Sequence, residues 1–131
     1  MTNKISVSPS LQDYLEAILN ISQQNEKVRV TDLAEELEVA KSSVHQAVSQ
    51  LKKAGLVAHE KYGPLVLTEK GEQIALKVKE KHDILVRFFE EVLGVSKEIS
   101  HRDACLIEHS ISSTSLDKLI DFMDNYTKED V

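Results

Sequence analysis

The sequence predicts a mostly α-helical chain, with a winged helix-turn-helix unit over residues 1–73 followed by a separate helical unit over residues 74–131. Three observations carry that expectation. Only 4 Gly and 2 Pro interrupt 131 residues, so little breaks helical periodicity. Two short amphipathic segments, 31–37 and 42–54, meet at a tight break and are followed by a hairpin pattern. A long stretch from Thr68 to about Leu93 then keeps helical spacing beyond what a winged helix needs.

The elements follow in order. After Pro9, Leu11, Leu15, Ile18, Leu19 and Ile21 recur at the spacing of one buried stripe, with Asp13 and Glu16 on the opposite face. A polar turn over residues 23–27 leads to the β-like Val28-Arg29-Val30. Thr31 is then the expected N-cap of a short helix, with Asp32 and Glu35 favouring its N-terminus and Leu33, Ala34 and Leu37 facing inward. The break from Glu38 to Lys41 separates it from a second helix, Ser42 to Ala54, which buries Val44, Val48 and Leu51 and stops at Gly55. Leu56 to His59 runs out, Tyr62-Gly63-Pro64 turns, and Leu65 to Thr68 returns. The plain alternative is a helix pair packed on a hairpin with no role on DNA.

From Thr68, Ile74, Val78, Ile84/Leu85, Phe88/Phe89 and Val92 continue one helical stripe until Gly94. Two further helices are expected around 104–111 and 116–123. The apolar surplus at Leu85, Phe88, Phe89, Val92, Leu93 and Val95 predicts a dimerisation unit.

Composition narrows the class. A hydrophobic fraction of 41% with 29% charged residues is a globular balance, and no apolar run approaches a membrane span. The polar start Met1-Thr2-Asn3-Lys4 lacks a secretion signal, so a cytoplasmic location is expected. The single Cys105 excludes an intramolecular disulfide. Net charge is −6, yet residues 39–70 carry Lys41, Lys52, Lys53, Lys61 and Lys70 against only Glu60 and Glu69, while residues 71–131 carry 8 basic and 13 acidic side chains.

That basic middle coincides with the second helix of the helix-turn-helix. Its outward face would present Lys41, Ser42, Ser43, His45, Gln46 and Ser49, short or amide side chains suited to base edges and phosphates. Gln46 can pair with an adenine edge, Ser42 and Ser43 can bond phosphate at the helix N-terminus, and Lys41, Lys52, Lys53 and Lys61 can neutralise backbone charge. Taken singly, each is equally at home on an ordinary solvated face. Double-stranded operator DNA is the expected partner.

The acidic half contains Cys105-Leu106-Ile107-Glu108-His109. On a helix, i, i+3 and i+4 share a face, so a thiol, a carboxyl and an imidazole converge as a divalent transition-metal site. A buried cysteine beside a surface Glu-His pair would give the same letters, and a Cys-His nucleophilic pair is a third reading. No nucleophile-base-oxyanion set or cofactor loop accompanies that pair, so neither an enzyme nor an organic cofactor is expected. Three ligands leave a six-coordinate ion unfinished, and Asp13, Glu16, His82 and His101 are the candidates to complete it. A metal-independent winged-helix regulator or interaction module whose Cys105 senses oxidation is the alternative.

At this point several motifs occur together and in order: Ser10-Leu11-Gln12-Asp13-Tyr14-Leu15-Glu16, Ser43-Val44-His45-Gln46, Gly55-Leu56-Val57, Leu67-Thr68-x-x-Gly71, Lys81-His82 and Cys105-x-x-Glu108-His109. Over about residues 8–125 the chain resembles the DtxR/MntR family of metal-dependent transcriptional repressors. The resemblance implies a homodimer that binds a palindromic operator when metal is present. It implies a primary site of Asp13, Cys105, Glu108 and His109, and a second of Glu16 and His82, with Glu108 bridging and His101 nearby. Asp13 and Glu16 resemble the manganese-responsive branch, which has Glu where this chain has Cys105. Cys105 and His101 resemble the iron-responsive branch, which has Met at the Asp13 position and a carboxylate at Val86. A soft thiolate among carboxylates favours Fe²⁺, with Mn²⁺ next, and Co²⁺, Ni²⁺ or Zn²⁺ are expected to bind in vitro. Ending at Val131, the chain is expected to be the short form, without the SH3-like domain of the iron-responsive members.

Overall fold

The computed structural model describes residues 7–25, 27–59 and 63–126, and the chain divides into two compact units, one ending at Lys77 and the other beginning at Val78. Helices α1 (Pro9–Gln24), α2 (Val30–Leu37) and α3 (Lys41–Lys53) precede strands β1 (Val57–His59) and β2 (Leu65–Leu67). Helix α4 (Glu69–Arg87) leads into a π-helical turn (Phe88–Val92), then α5 (Lys97–Ile107) and α6 (Ser113–Asn125). No described helix is long and apolar enough to cross a membrane.

In the first unit, α1 starts at Pro9 with the Ser8 hydroxyl accepting the Leu11 amide, and buries Leu15, Ile18 and Leu19. Leu33 of α2 and Val44 and Leu51 of α3 complete a core in which each is fully enclosed. Truncating one of them costs about 2–5 kcal/mol. The strands form an antiparallel pair with Val57 opposite Leu67 and His59 opposite Leu65, and Val28 adds a single bridge to Leu65.

Several boundaries differ from the periodicity reading, among them α5, which runs Lys97–Ile107 where 104–111 was expected, and α6, which runs Ser113–Asn125 where 116–123 was expected. The cap of α2 is Arg29, not Thr31, because the Asp32 carboxylate accepts the Arg29 amide at 2.9 Å and starts the helix two residues earlier. Helix α3 begins at Lys41, so only Glu38, Val39 and Ala40 separate it from α2. Glu38 closes α2 in the left-handed region, at φ 54° and ψ 48°, with the Val39 amide donating to the Ala34 carbonyl. A side chain there is strained, so Glu38→Gly is expected to raise stability by about 0.5–1 kcal/mol, read as a higher thermal midpoint. At the end of α3, Gly55 takes φ 76°, and the Gly55 and Leu56 amides donate to the Lys52 and Leu51 carbonyls.

The first two turns of α4 pack Ile74 and Ala75 into the first core, which carries that unit past the expected boundary at residue 73 to Lys77. The second unit buries Ile84, Leu85, Val86, Ala104, Leu116 and Met123, with Phe88, Phe89 and Val92 packed against them. The helix expected to run unbroken to Leu93 widens at Phe88, where the Leu93 amide donates to the Phe88 carbonyl, five residues back. The Tyr126 hydroxyl occupies the Glu91 carbonyl at 3.1 Å, and the Val95 amide turns instead to Phe89.

Candidate metal centre and nucleic-acid interface

Within the second unit α5 places His101 and Cys105 one turn apart, and Glu108, its C-cap, keeps helical dihedrals with its amide bonded to the Ala104 carbonyl. The three therefore form a stripe on one face, and α4 sets His82 against it. His82 Nδ1 lies 3.1 Å from Glu108 Oε1 and 3.8 Å from Cys105 Sγ, while His82 Nε2 lies 3.1 Å from His101 Nδ1. Donor atoms of His82, Cys105 and Glu108 all fall within 4.8 Å of one another.

The burial pattern inverts the bland reading of this motif: Cys105 is exposed, whereas Glu108 is only 1% exposed. Its Oε2 is buried with no hydrogen-bond partner among the described residues. An orphaned carboxyl oxygen in such a place costs about 1–3 kcal/mol, and a cation is the partner that a thiol, an imidazole and a carboxyl beside it would hold. The donor set thus fits a divalent transition metal. Both nitrogens of the His82 ring lie within hydrogen-bonding distance of a partner, Nδ1 of Glu108 and Nε2 of His101.

The remaining expected ligands have these places. His109 is half-buried in the turn that follows α5, beyond the helix on which the spacing argument set it. Asp13 is exposed and Glu16 half-buried, one turn apart on α1 in the first unit. Burial pushes the Tyr14 phenol, next to Asp13, above its ordinary value. Val86 is buried in the second core, so the position of the iron-branch carboxylate serves packing here.

On α3 the structure exposes Lys41, Ser42, Ser43, His45, Gln46 and Ser49, while Val44, Ala47, Val48 and Leu51 are buried beneath them. Lys52 and Lys53 are exposed in the last turn, and Lys52 Nζ reaches the His59 carbonyl of β1 at 3.5 Å. Gln50, which the sequence argument left out, shares exposure on this helix; its spacing of four from Gln46 was the available signal. Lys61 lies outside the described residues.

A reading head of this kind, joined by one helix to a thiol-imidazole-carboxyl cluster, defines the class of metal-responsive winged-helix DNA-binding regulators. Residues 6–65 match the iron dependent repressor N-terminal DNA binding domain, and residues 68–130 match the iron dependent repressor metal binding and dimerisation domain. The chain belongs to this DtxR/MntR family of metal-dependent, DNA-binding transcriptional repressors.

It is 38% identical over 123 residues to the HTH-type transcriptional regulator MntR of Geobacillus kaustophilus, covering 94% of this chain and 86% of that one. It is 36% identical to MntR of Bacillus subtilis with the same coverage. Among solved structures, a manganese-dependent transcriptional repressor in complex with manganese superposes with a TM-score of 0.80 at 29% identity, over 87% of this chain and 52% of that one. The manganese regulator SloR gives 0.79 at 28% identity, over 92% and 56%. The chain thus spans about half the length of these solved proteins.

Proposed function

We propose that this chain is a cytoplasmic repressor that binds a palindromic operator as a homodimer when a divalent transition metal is bound, with Fe²⁺ the favoured ion and Mn²⁺ next. The observation that carries the reading is the buried Oε2 of Glu108, without a hydrogen-bond partner among the described residues, beside the Cys105 thiol and the His82 ring. Solved structures described as manganese regulators support Mn²⁺, and the thiolate supports the softer Fe²⁺. Asp13, Cys105, Glu108 and His109 would hold the primary ion, and Glu16 and His82 a second, with Glu108 shared and His101 orienting His82. A bound ion supplies concentrated positive charge and directed bonds to these donors. The chain's own part is to present deprotonated ligands, so loading releases protons and becomes weaker as pH falls.

Dimerisation would use the second unit, through its exposed apolar side chains. Of the apolar surplus, Phe88, Phe89 and Val92 are half-buried against their own core, whereas Leu93 is exposed together with Ile99, Leu106 and Phe122, Leu106 at 69%. Those four are the proposed contact residues. A dimer would present two α3 helices to successive major grooves about one turn apart.

The direct test is an anaerobic DNA-binding titration with Fe²⁺, Mn²⁺, Co²⁺ and Zn²⁺ against a chelator control. Binding that is equally tight in chelator would refute the reading. On the same DNA, Gln46→Ala is expected to cost about 1–3 kcal/mol of discrimination between operator and random duplex. Lys53→Ala should weaken both duplexes alike and flatten the salt dependence, because phosphate contacts carry no sequence information. Equal losses for Gln46→Ala on both duplexes would show that α3 is not the reader.

A further inference from the structure

Helix α4 carries His82 in the second unit, and its first turn is bonded to the end of the reading helix in the first. The half-buried Thr68 makes that junction. Its Oγ1 donates to the Gly55 carbonyl at 2.7 Å and accepts the Gly71 amide at 3.1 Å, while its own amide donates to the Leu56 carbonyl at 3.0 Å. Gly55 and Leu56 are the residues that close α3. Gly71 allows the approach, since a Cβ there would stand 2.0 Å from the Leu56 carbonyl oxygen. Ser8, Ser96 and Ser112 accept amides of the helices they begin, as ordinary caps do. Thr68 does this for α4 and also grips the terminus of a different helix.

We propose that Thr68 is a positioning residue that couples metal binding to DNA reading. By fastening the α3 terminus to the first turn of α4, it makes the reading helix follow any restraint placed on α4 at His82, about three turns further along the same helix. Without the hydroxyl, the Gly55 carbonyl and the Gly71 amide lose their shared partner, and the restraint passes only through the Thr68 amide and the packing of Ile74 and Ala75, so it is weakened. The inference rests on the metal-dependent DNA-binding reading above.

The test compares the full-length wild type with Thr68→Val, Thr68→Ser and Ser112→Ala. Affinity for Mn²⁺ and, anaerobically, Fe²⁺ is measured by competition with a chromophoric chelator. Affinity for a duplex selected by the wild type from a random pool with Mn²⁺ is measured with metal and with chelator. Thr68→Val is expected to keep its metal affinity while metal stimulation of DNA binding shrinks by about tenfold, within the usual range of coupling factors. Thr68→Ser should restore it. Ser112→Ala, which deletes a cap inside one helix, should lower the melting temperature but keep full stimulation. Undiminished stimulation in Thr68→Val, or the same loss in Ser112→Ala, overturns the coupling role alone. No stimulation in the wild type overturns the underlying reading, and this one with it. Should Thr68→Val not fold, hydrogen exchange in the wild type decides: metal should slow exchange at the Thr68 and Gly71 amides, and unchanged rates overturn the proposal.

Discussion

Cys105→Ala is expected to abolish metal-activated DNA binding while leaving the melting temperature of the metal-free protein unchanged. Cys105 is exposed, so its truncation creates no cavity, and beside its weak contact with His82 the loss falls on ligation. Loaded with Co²⁺, the wild type should show a sulfur-to-cobalt charge-transfer band that the variant lacks. Cys105→Glu should restore activation and move the preference toward Mn²⁺, because a hard carboxylate replaces a soft sulfur beside Glu108 and His82. Were Cys105 only a surface residue, Ala would be silent and Glu would change nothing in metal preference. A fully active Cys105→Ala would sink the ligand assignment.

Glu108→Met should separate the cost of the buried carboxyl from its use. In the metal-free protein the melting temperature is expected not to fall, since the substitution removes an enclosed Oε2 that lacks a partner, offsetting the lost contact with His82. The metal-induced rise should vanish. An ion present at a hundred times its dissociation constant adds about 2.7 kcal/mol, a shift on the order of 10 °C for a chain of this size. Calorimetric scans with and without Mn²⁺ read both quantities at once. Retention of the full metal-induced rise in Glu108→Met would remove Glu108 from the site.

Much of the fold was legible because its signals are local. The Leu15-Ile18-Leu19 stripe, Gly55 at the end of α3 and the hairpin flanking residues 60–62 each follow from spacing or from one residue's dihedral freedom. The misplaced boundaries have competing local partners as their cause. At α2 the Asp32 carboxylate reached back to Arg29, ahead of the hydroxyl at Thr31, and beyond Arg87 the Leu93 amide bonds the Phe88 carbonyl five residues back, a local widening that apolar spacing alone does not mark.

For the candidate centre, residue types and spacing pointed to Cys105, Glu108 and His109 as a transition-metal donor set, of which Cys105 and Glu108 lie close to each other and to His82, and the exposed polar face of α3 was likewise readable from period alone. What those letters left open was which member is enclosed. Spacing assigns residues to a common face, but burial depends on what another segment lays over that face, and here α4 contributes His82 while the packing encloses Glu108 and leaves Cys105 open. The same limit applies to the dimer surface: Phe88, Phe89 and Val92 read as surplus in one dimension, and in the fold they are half-buried against the second core. Thr68 is the furthest case. As a letter it is a helix cap three residues before a glycine, and only the tertiary fold brings the Gly55 carbonyl within 2.7 Å of its hydroxyl, because that contact joins helices separated in sequence by the whole wing.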